Sequence, residues 1–99
     1  MIRIVRLYFT ETGETEFLKI FNQYKTEIRN FPGCTHLQLL KDKDLEFSYS
    51  TLSHWNNQSD LENYRNSELF INVWAQTKKL FSQKPISFSL DNFIDVEPY

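Results

Sequence analysis

The opening run from Ile2 to Thr10 constrains the fold most strongly, because apolar side chains occupy both alternating sets of its positions. Its β-branched and aromatic residues favour a strand, in which successive side chains point to opposite faces. The two apolar sets are Ile2, Ile4 and Tyr8 on one face and Val5, Leu7 and Phe9 on the other. A strand of this kind needs cover on both faces.

Length and composition limit what can provide that cover. The chain has 99 residues, so we expect one domain spanning residues 1–99. Hydrophobic residues make up 40% of the chain and aromatic residues 16%, which is ample material for a core. The net charge of -2 and the scattered lysines and arginines give no positive field for a phosphate backbone, so no nucleic-acid partner is expected.

The cysteine and histidine content and the length of the apolar runs indicate the cellular compartment and whether a metal or a membrane is involved. The single cysteine, Cys34, cannot form an internal disulfide, which favours a reducing, cytoplasmic location. With His36 and His54 it lacks the paired spacing of a zinc site, so no metal is expected. No apolar run approaches the roughly 20 residues of a membrane span. Met1 to Phe9 is interrupted by two arginines, so we expect a strand rather than a signal peptide and no membrane partner.

Further elements follow in the order of a known arrangement. A helix is predicted from an N-cap at Thr12 to about Asn30, followed by a turn at Pro32-Gly33. Three more strands are predicted, over Thr35–Lys41, Leu45–Trp55 and Ile86–Ile94, with a helical region before the last. The order β-α-β-β-α-β predicts an α+β, ferredoxin-like antiparallel sheet with its helices on one face.

The register of the central hairpin decides which side chains meet the helices. Even pairing places one set with Trp55: Leu37, Leu39, Phe47, Tyr49 and Thr51. The set on the opposite face is then His36, Gln38, Ser48 and Ser50. A shift of one residue exchanges the two sets, and the sequence leaves both registers open.

The region from Ser50 to Phe81 is predicted to hold two helical segments. Ser59 and Glu62 have the spacing of a capping box, and Ser67 is a good N-cap for the second segment. Apolar residues then recur every three or four positions, at Phe70, Val73, Trp74, Thr77, Leu80 and Phe81. Such spacing makes one broad apolar stripe.

Two runs in this region resemble the antibiotic biosynthesis monooxygenase family. They are Tyr-Arg-x-Ser-Glu-Leu-Phe from Tyr64 to Phe70 and Trp-Ala-x-Thr-Lys-x-Leu-Phe from Trp74 to Phe81. With the turn at Phe31 to Cys34 and the strand ending in Trp55, the resemblance covers about residues 2–93. It implies two copies sharing an α+β barrel. The family includes cofactor-free oxygenases of phenols and quinols, haem degraders and members without a known substrate.

The resemblance also implies a substrate pocket between the helices and the sheet, near Trp55. The predicted substrate-binding residues are Tyr49, Thr51, Trp55, Phe70 and Trp74. Their apolar surfaces suit a flat aromatic molecule, with Tyr49 and Thr51 bonding a phenolate. The alternative is that these aromatic residues are ordinary core.

A cofactor-independent oxygenation of a small phenol or quinol is the predicted reaction. The sequence has no nucleotide-binding glycine fingerprint and no metal cage, so no cofactor is expected and the electrons must come from the substrate. His36 is the candidate catalytic base if the register places it inside, and otherwise a hydrogen-bonded interface histidine. Thr51 and Ser53 stand where aromatic-polyketide oxygenases of the family have an asparagine before the tryptophan, which is a departure from their pattern.

Alternative functions share the same predicted assembly. The two-sided first strand predicts a homodimer, with an apolar tail at Phe93, Ile94, Val96 and Tyr99 crossing onto the partner. A non-enzymatic dimer that binds a small ligand or has a structural role is the other candidate. Haem degradation ranks lower, because the first strand has Arg6 and Tyr8 where that activity needs asparagine, and no histidine follows Trp74.

Overall fold

The observed elements follow the predicted order. A computed structural model describes all residues from Met1 to Tyr99. The elements are β1 (Ile2–Tyr8), α1 (Glu11–Arg29), β2 (Cys34–Lys41), β3 (Ser48–Trp55), α2 (Gln58–Arg65), α3 (Glu68–Lys78) and β4 (Ile86–Leu90). The α+β, ferredoxin-like fold with a broken second helix is therefore confirmed.

The strands form one antiparallel sheet in the order β2-β3-β1-β4. Thr51 of β3 pairs with Val5 on one side and with Leu39 on the other, while Tyr49 pairs with Leu7. Because directly opposed residues share a face, the even register of the hairpin is confirmed. Odd-numbered residues from Arg3 to Leu7 consequently face the helices.

Two buried clusters fill the space between sheet and helices. One consists of Leu7, Phe9, Phe17 and Tyr49, and the other of Cys34, Trp55 and Leu61. The first is aromatic at its centre, since the rings of Phe9 and Phe17 stack with centroids 4.4 Å apart. This arrangement leaves room between the clusters, where the candidate site lies.

Two predicted N-caps are displaced by two residues. Thr10, not Thr12, caps α1, since its hydroxyl accepts a hydrogen bond from the N–H of Gly13 at 3.0 Å. Asn57, not Ser59, caps α2. In both cases the observed cap has extended backbone angles and an oxygen-bearing side chain, as N-caps require. The predicted cap of α3 at Ser67 is confirmed.

The hairpin loop explains why β3 begins at Ser48 rather than at Leu45. Asp42 Oδ1 accepts hydrogen bonds from the N–H groups of Asp44 and Leu45, at 3.0 and 3.1 Å, which closes a tight turn. Phe47 then adopts a left-handed backbone with φ of 59°. A residue in that conformation cannot continue a strand. Its side chain still packs against the first buried cluster, as the parity argument predicts.

The sheet face opposite the helices, called here the outer face, is uncovered. Its β4 residues Ile86, Phe88 and Leu90 are 50%, 43% and 50% exposed. The strand β4 is shorter than predicted, and the tail from Asp91 to Tyr99 contains no helix or strand. Its apolar side chains are more exposed still, with Phe93 at 92%. None of the helices has the length and apolar character that crossing a membrane requires.

Candidate functional site

A cavity of about 240 Å³ lies between the helices and the helix-facing side of the sheet. Of its 18 lining residues 12 are hydrophobic, and they come from both buried clusters and from all three helices. An engineered apolar cavity of roughly 150 Å³ holds benzene. The present cavity therefore has room for one substituted aromatic ring.

Four aromatic residues form one side of the cavity, which we call the aromatic wall: Trp55, Tyr64, Phe70 and Trp74. Trp55 and Tyr64 stack with centroids 5.0 Å apart, and Phe70 and Trp74 stack at 5.7 Å with only 11° between their planes. Tyr64 and Phe70 meet edge to face at 5.2 Å. The wall is thus continuous from the end of β3 to α3, and it offers flat apolar surface to a ring.

The hydroxyl of Ser67 joins the two helices that carry this wall. It donates to the carbonyl oxygen of Tyr64 at 2.6 Å and accepts from the N–H of Phe70 at 3.1 Å. One side chain therefore satisfies groups at the end of α2 and at the start of α3. This bridge holds the end of α2 against the start of α3, where the rings of Tyr64 and Phe70 meet edge to face.

Three small hydroxyl side chains on the helix-facing side of the sheet also line the cavity, and we call them the polar strip: Thr51, Ser53 and Ser87. Val5 of β1 lies between Thr51 and Ser87. Ser53 accepts a hydrogen bond from the indole N–H of Trp55 at 2.9 Å, which holds that ring in place. Neither Thr51 nor Ser87 has a side-chain hydrogen bond within the protein. Their hydroxyls are therefore available to a ligand.

Two arginines line the same cavity. Arg3 lies on the helix-facing side of β1, and its Nη1 donates to Ser89 Oγ at 3.1 Å. Arg65 is the last residue of α2 and forms no side-chain hydrogen bond or ion pair. Burial, and then the neighbouring charge of Arg65, lowers the pKa of Arg3. No aspartate, glutamate or histidine lines the cavity.

Four of the five predicted substrate-binding residues line this cavity together: Thr51, Trp55, Phe70 and Trp74. The exception is Tyr49, which does not line it. Tyr49 is only 7% exposed within the first buried cluster, and its hydroxyl donates to Glu14 Oε2 at 2.9 Å. Tyr49 is thus bound to α1 outside the cavity lining, and its contact with a ligand stays a prediction.

The structure places His36 on the outer face of the sheet. Its Nε2 lies 3.1 Å from Gln38 Oε1, and its ring centroid lies 4.9 Å from that of His54. The catalytic role predicted for His36 required the opposite register. With the even register, the sheet itself separates His36 from the cavity of its own protomer.

Fourteen of the 18 lining residues lie outside the five predicted ones, and three of these have ionisable side chains: Arg3, Tyr64 and Arg65. The position of Arg3 can be predicted from the sequence, because Arg3, Val5 and Leu7 belong to the same alternating set of β1 and so share one face. Tyr64 and Arg65 open the Tyr-Arg-x-Ser-Glu-Leu-Phe run that carried the family resemblance. Their side chains reach the cavity because α2 packs over the end of β3, which is a contact that the sequence pattern does not show.

Cys34 shows the character of a structural residue. Burial raises the pKa of its thiol, which favours the unreactive protonated form. Its Sγ donates to the carbonyl oxygen of His36 at 3.5 Å. No group of three or more histidine, cysteine, aspartate or glutamate side chains lies close enough together to hold a metal ion.

Tyr64 is expected to make stability fall at alkaline pH. Burial raises its pKa, so the folded protein holds this proton more tightly than the unfolded chain, in which tyrosine titrates near 10. Its contribution is fully present below about pH 10 and is lost as the pH rises further. Tyr64→Phe is expected to remove about 1 kcal/mol of the loss between pH 9 and pH 11, measured by urea denaturation. Tyr99→Phe, in the exposed tail, is the control, and an equal effect of both variants would contradict this account.

Comparison with known proteins supports the fold described above. A candidate antibiotic biosynthesis monooxygenase from Caulobacter crescentus is similar in structure, with a TM-score of 0.87, 22% identity, and coverage of 94% of this chain and 89% of that one. The Mycobacterium tuberculosis protein Rv0793 has a TM-score of 0.86, 17% identity and 97% coverage of both chains. At these identities the likeness shows the fold alone. No functionally curated protein matches the chain. The sequence profile of antibiotic biosynthesis monooxygenases matches residues 1–75, and the chain therefore belongs to the antibiotic biosynthesis monooxygenase family.

Proposed function

We propose that the protein is a cofactor-independent monooxygenase of a small aromatic phenol or quinol. The observation that carries this proposal is the cavity, which has about the volume of one substituted ring and pairs an aromatic wall with a polar strip. Apolar cavities with a few placed polar groups are typical small-molecule sites. Membership of the family supports oxygenation as the reaction class.

The proposed reaction balances with the substrate as the only reductant. A hydroquinone and one O₂ give a hydroxyquinone and one water. One oxygen atom replaces a ring hydrogen and the other leaves as water, while the ring supplies all four electrons. The aromatic wall would hold the ring and keep bulk water from the oxygenated intermediate, and the hydroxyl of Thr51 would bond the phenolate oxygen.

The proton of the substrate has no obvious acceptor on the protein. The cavity contains neither imidazole nor carboxylate, and the hydroxyl of Tyr64 has a raised pKa. A quinol would therefore lose its proton to solvent before it reacts with oxygen. We expect the rate to increase with pH along the ionisation curve of the substrate rather than along that of a histidine near pH 6.5.

Oxygen uptake tests the proposal directly. Chelator-treated protein, checked for bound metal and chromophore, is mixed with a panel of hydroquinones in an oxygen electrode. Uptake well above the autoxidation of each quinol, with a hydroxyquinone as product, is expected. Uptake no faster than autoxidation across the panel, with ring binding retained, would favour the non-enzymatic alternative. That alternative is a binding protein for small aromatic molecules, and the lack of a base in the cavity favours it.

A homodimer formed through the outer face accompanies the proposed function. The apolar residues of β4 and the tail are exposed in one protomer, and a second copy would bury them. Such an interface should exceed about 1,200 Å². In this arrangement His36 and His54 would lie at the interface. A reducing compartment such as the cytoplasm suits the free thiol of Cys34.

Light scattering is expected to give twice the 11.9 kDa mass of the chain. Phe88→Glu places a charge on the outer face and is expected to yield a folded monomer, since Phe88 is 43% exposed within one protomer. Leu18→Glu on α1, at a similarly exposed apolar position, is the control and should leave the dimer intact. Truncation after Asp91 should weaken the dimer. A wild-type monomer at micromolar concentration would contradict the assembly.

A further inference from the structure

The two arginines at the cavity are the charged groups that the proposed function leaves without a role. Arg3 belongs to β1 and Arg65 to α2, so separate elements bring them to the same cavity. Arg3 uses one N–H to bond Ser89, which leaves four of its five donors without a protein acceptor. Arg65 uses none.

Nothing in the protein neutralises this pair. The two ion pairs of the chain are elsewhere, between Arg6 and Asp42 and between Lys19 and Glu16. Burial, and then the neighbouring charge of Arg65, lowers the pKa of Arg3. A position at the end of α2 suits a cation such as Arg65 through the helix dipole alone. That effect does not explain Arg3, which lies on a strand beside the apolar cavity.

We infer that the ligand of this cavity is an aromatic carboxylic acid, whose ring lies against the aromatic wall and whose carboxylate is bound between Arg3 and Arg65. This inference names the substrate class of the proposed monooxygenase. It rests on that proposed function only in treating the bound acid as a substrate that is consumed. A carboxylate matches the planar fork of a guanidinium and accepts two parallel hydrogen bonds from it. The cavity volume of about 240 Å³ limits the ligand to one ring with small substituents.

The polar strip agrees with this orientation. Ser87 of β4 pairs with Val5 and is exposed, so it lies on the same side of the sheet as Arg3 and adjoins solvent. Arg65 is also exposed, whereas Trp55 is only 2% exposed. The arginine side of the cavity therefore adjoins solvent, whereas the aromatic wall includes the buried ring of Trp55. A carboxylate bound on the arginine side would keep part of its hydration while the ring becomes buried.

The test compares 2,5-dihydroxybenzoate with its neutral amide, 2,5-dihydroxybenzamide, which have the same shape and the same ring hydroxyls. Anaerobic titrations followed by tryptophan fluorescence measure binding without turnover. The acid is expected to bind at least tenfold more tightly than the amide. Added salt is expected to weaken binding of the acid only. Equal affinities for the acid and the amide would overturn the inference.

Substitutions of the arginines test whether their positive charges are responsible for the preference for the acid. Arg65→Gln is expected to weaken binding of the acid about tenfold to a hundredfold and to change binding of the amide less than twofold. Arg65→Lys should restore only part of the affinity, because an ammonium lacks the fork. Lys25→Gln removes one charge from an exposed position on α1 and is the control that should change neither. An equal loss for acid and amide in Arg65→Gln would overturn the inference.

Three further results separate this inference from others. Phenyl phosphate binding as tightly as the acid would overturn the commitment to a carboxylate. Selective binding of the acid without oxygen uptake would support the inference and count against the proposed monooxygenase. Oxygen uptake together with equal affinities for the acid and the amide would support the proposed monooxygenase and overturn the inference of an acidic ligand. Arg3→Gln removes the other charge of the pair and is expected to weaken binding of the acid as well. If this strand variant does not fold, the affinities of Arg65→Gln decide the test alone.

Discussion

Replacing Trp55 with alanine is expected to lower the free energy of unfolding by about 3–5 kcal/mol and to abolish ring binding. Trp55 is 2% exposed, stacks on Tyr64 and meets Phe31 edge to face. Its indole N–H is bonded to Ser53, so the substitution also leaves that hydroxyl without its partner. In a domain of this size the loss corresponds to a fall in Tm of more than about 12 °C, measured by calorimetry.

Trp55→Phe separates stability from ligand binding. Phenylalanine keeps a ring against Tyr64 and loses only the N–H donor to Ser53, so the loss in stability should be smaller. If Trp55 is part of a ligand site, the phenylalanine variant should still bind hydroquinone weakly under anaerobic conditions. Full affinity for hydroquinone in Trp55→Phe would contradict a role of this ring in the site. Normal stability of Trp55→Ala would contradict its role in the core.

Thr51→Phe is expected to weaken ligand binding by at least about 100-fold and to leave the fold stable. Thr51 lines the cavity from the centre of the sheet, and a benzyl side chain there would occupy the space that a ligand ring needs. Threonine and phenylalanine both favour strands, and filling a cavity avoids the strain of overpacking. Hydroquinone titration gives the affinity, and urea denaturation should give a stability within about 1 kcal/mol of the wild type.

Thr51→Val is the matched control for that variant. Valine retains the shape of threonine and removes its hydroxyl, which has no partner in the protein, so stability should not fall. If this hydroxyl bonds the ligand, affinity should fall about threefold to tenfold. Unchanged affinity in both variants would place the ligand elsewhere.

Much of the fold followed from local patterns, while the site depended on contacts between distant residues. The alternation of β1 was visible and already placed Arg3 with Val5 and Leu7. The hairpin register was not, because it rests on the Asp42 side chain closing the loop and on the left-handed backbone of Phe47. A left-handed conformation of a phenylalanine has no signature in its own side chain.

The two tyrosines show the same limit. Tyr49 and Tyr64 are both aromatic residues near the predicted site, yet only Tyr64 lines the cavity. Tyr49 is held by Glu14, which is 35 residues away in the sequence. His36 was assigned by residue type, since histidine suits proton transfer, but residue type carries no information about which face of a sheet it occupies.

The alternation of β1 allows one segment of gene to evolve two properties separately. Arg3 and Val5 face the cavity, whereas Ile4 between them faces the uncovered side of the sheet. A change of codon 3 or 5 can alter which molecule the cavity accepts without touching the surface through which copies would associate. A change of codon 4 does the reverse. Adjacent positions in this strand can therefore diversify under different selection, with no insertion or new element needed.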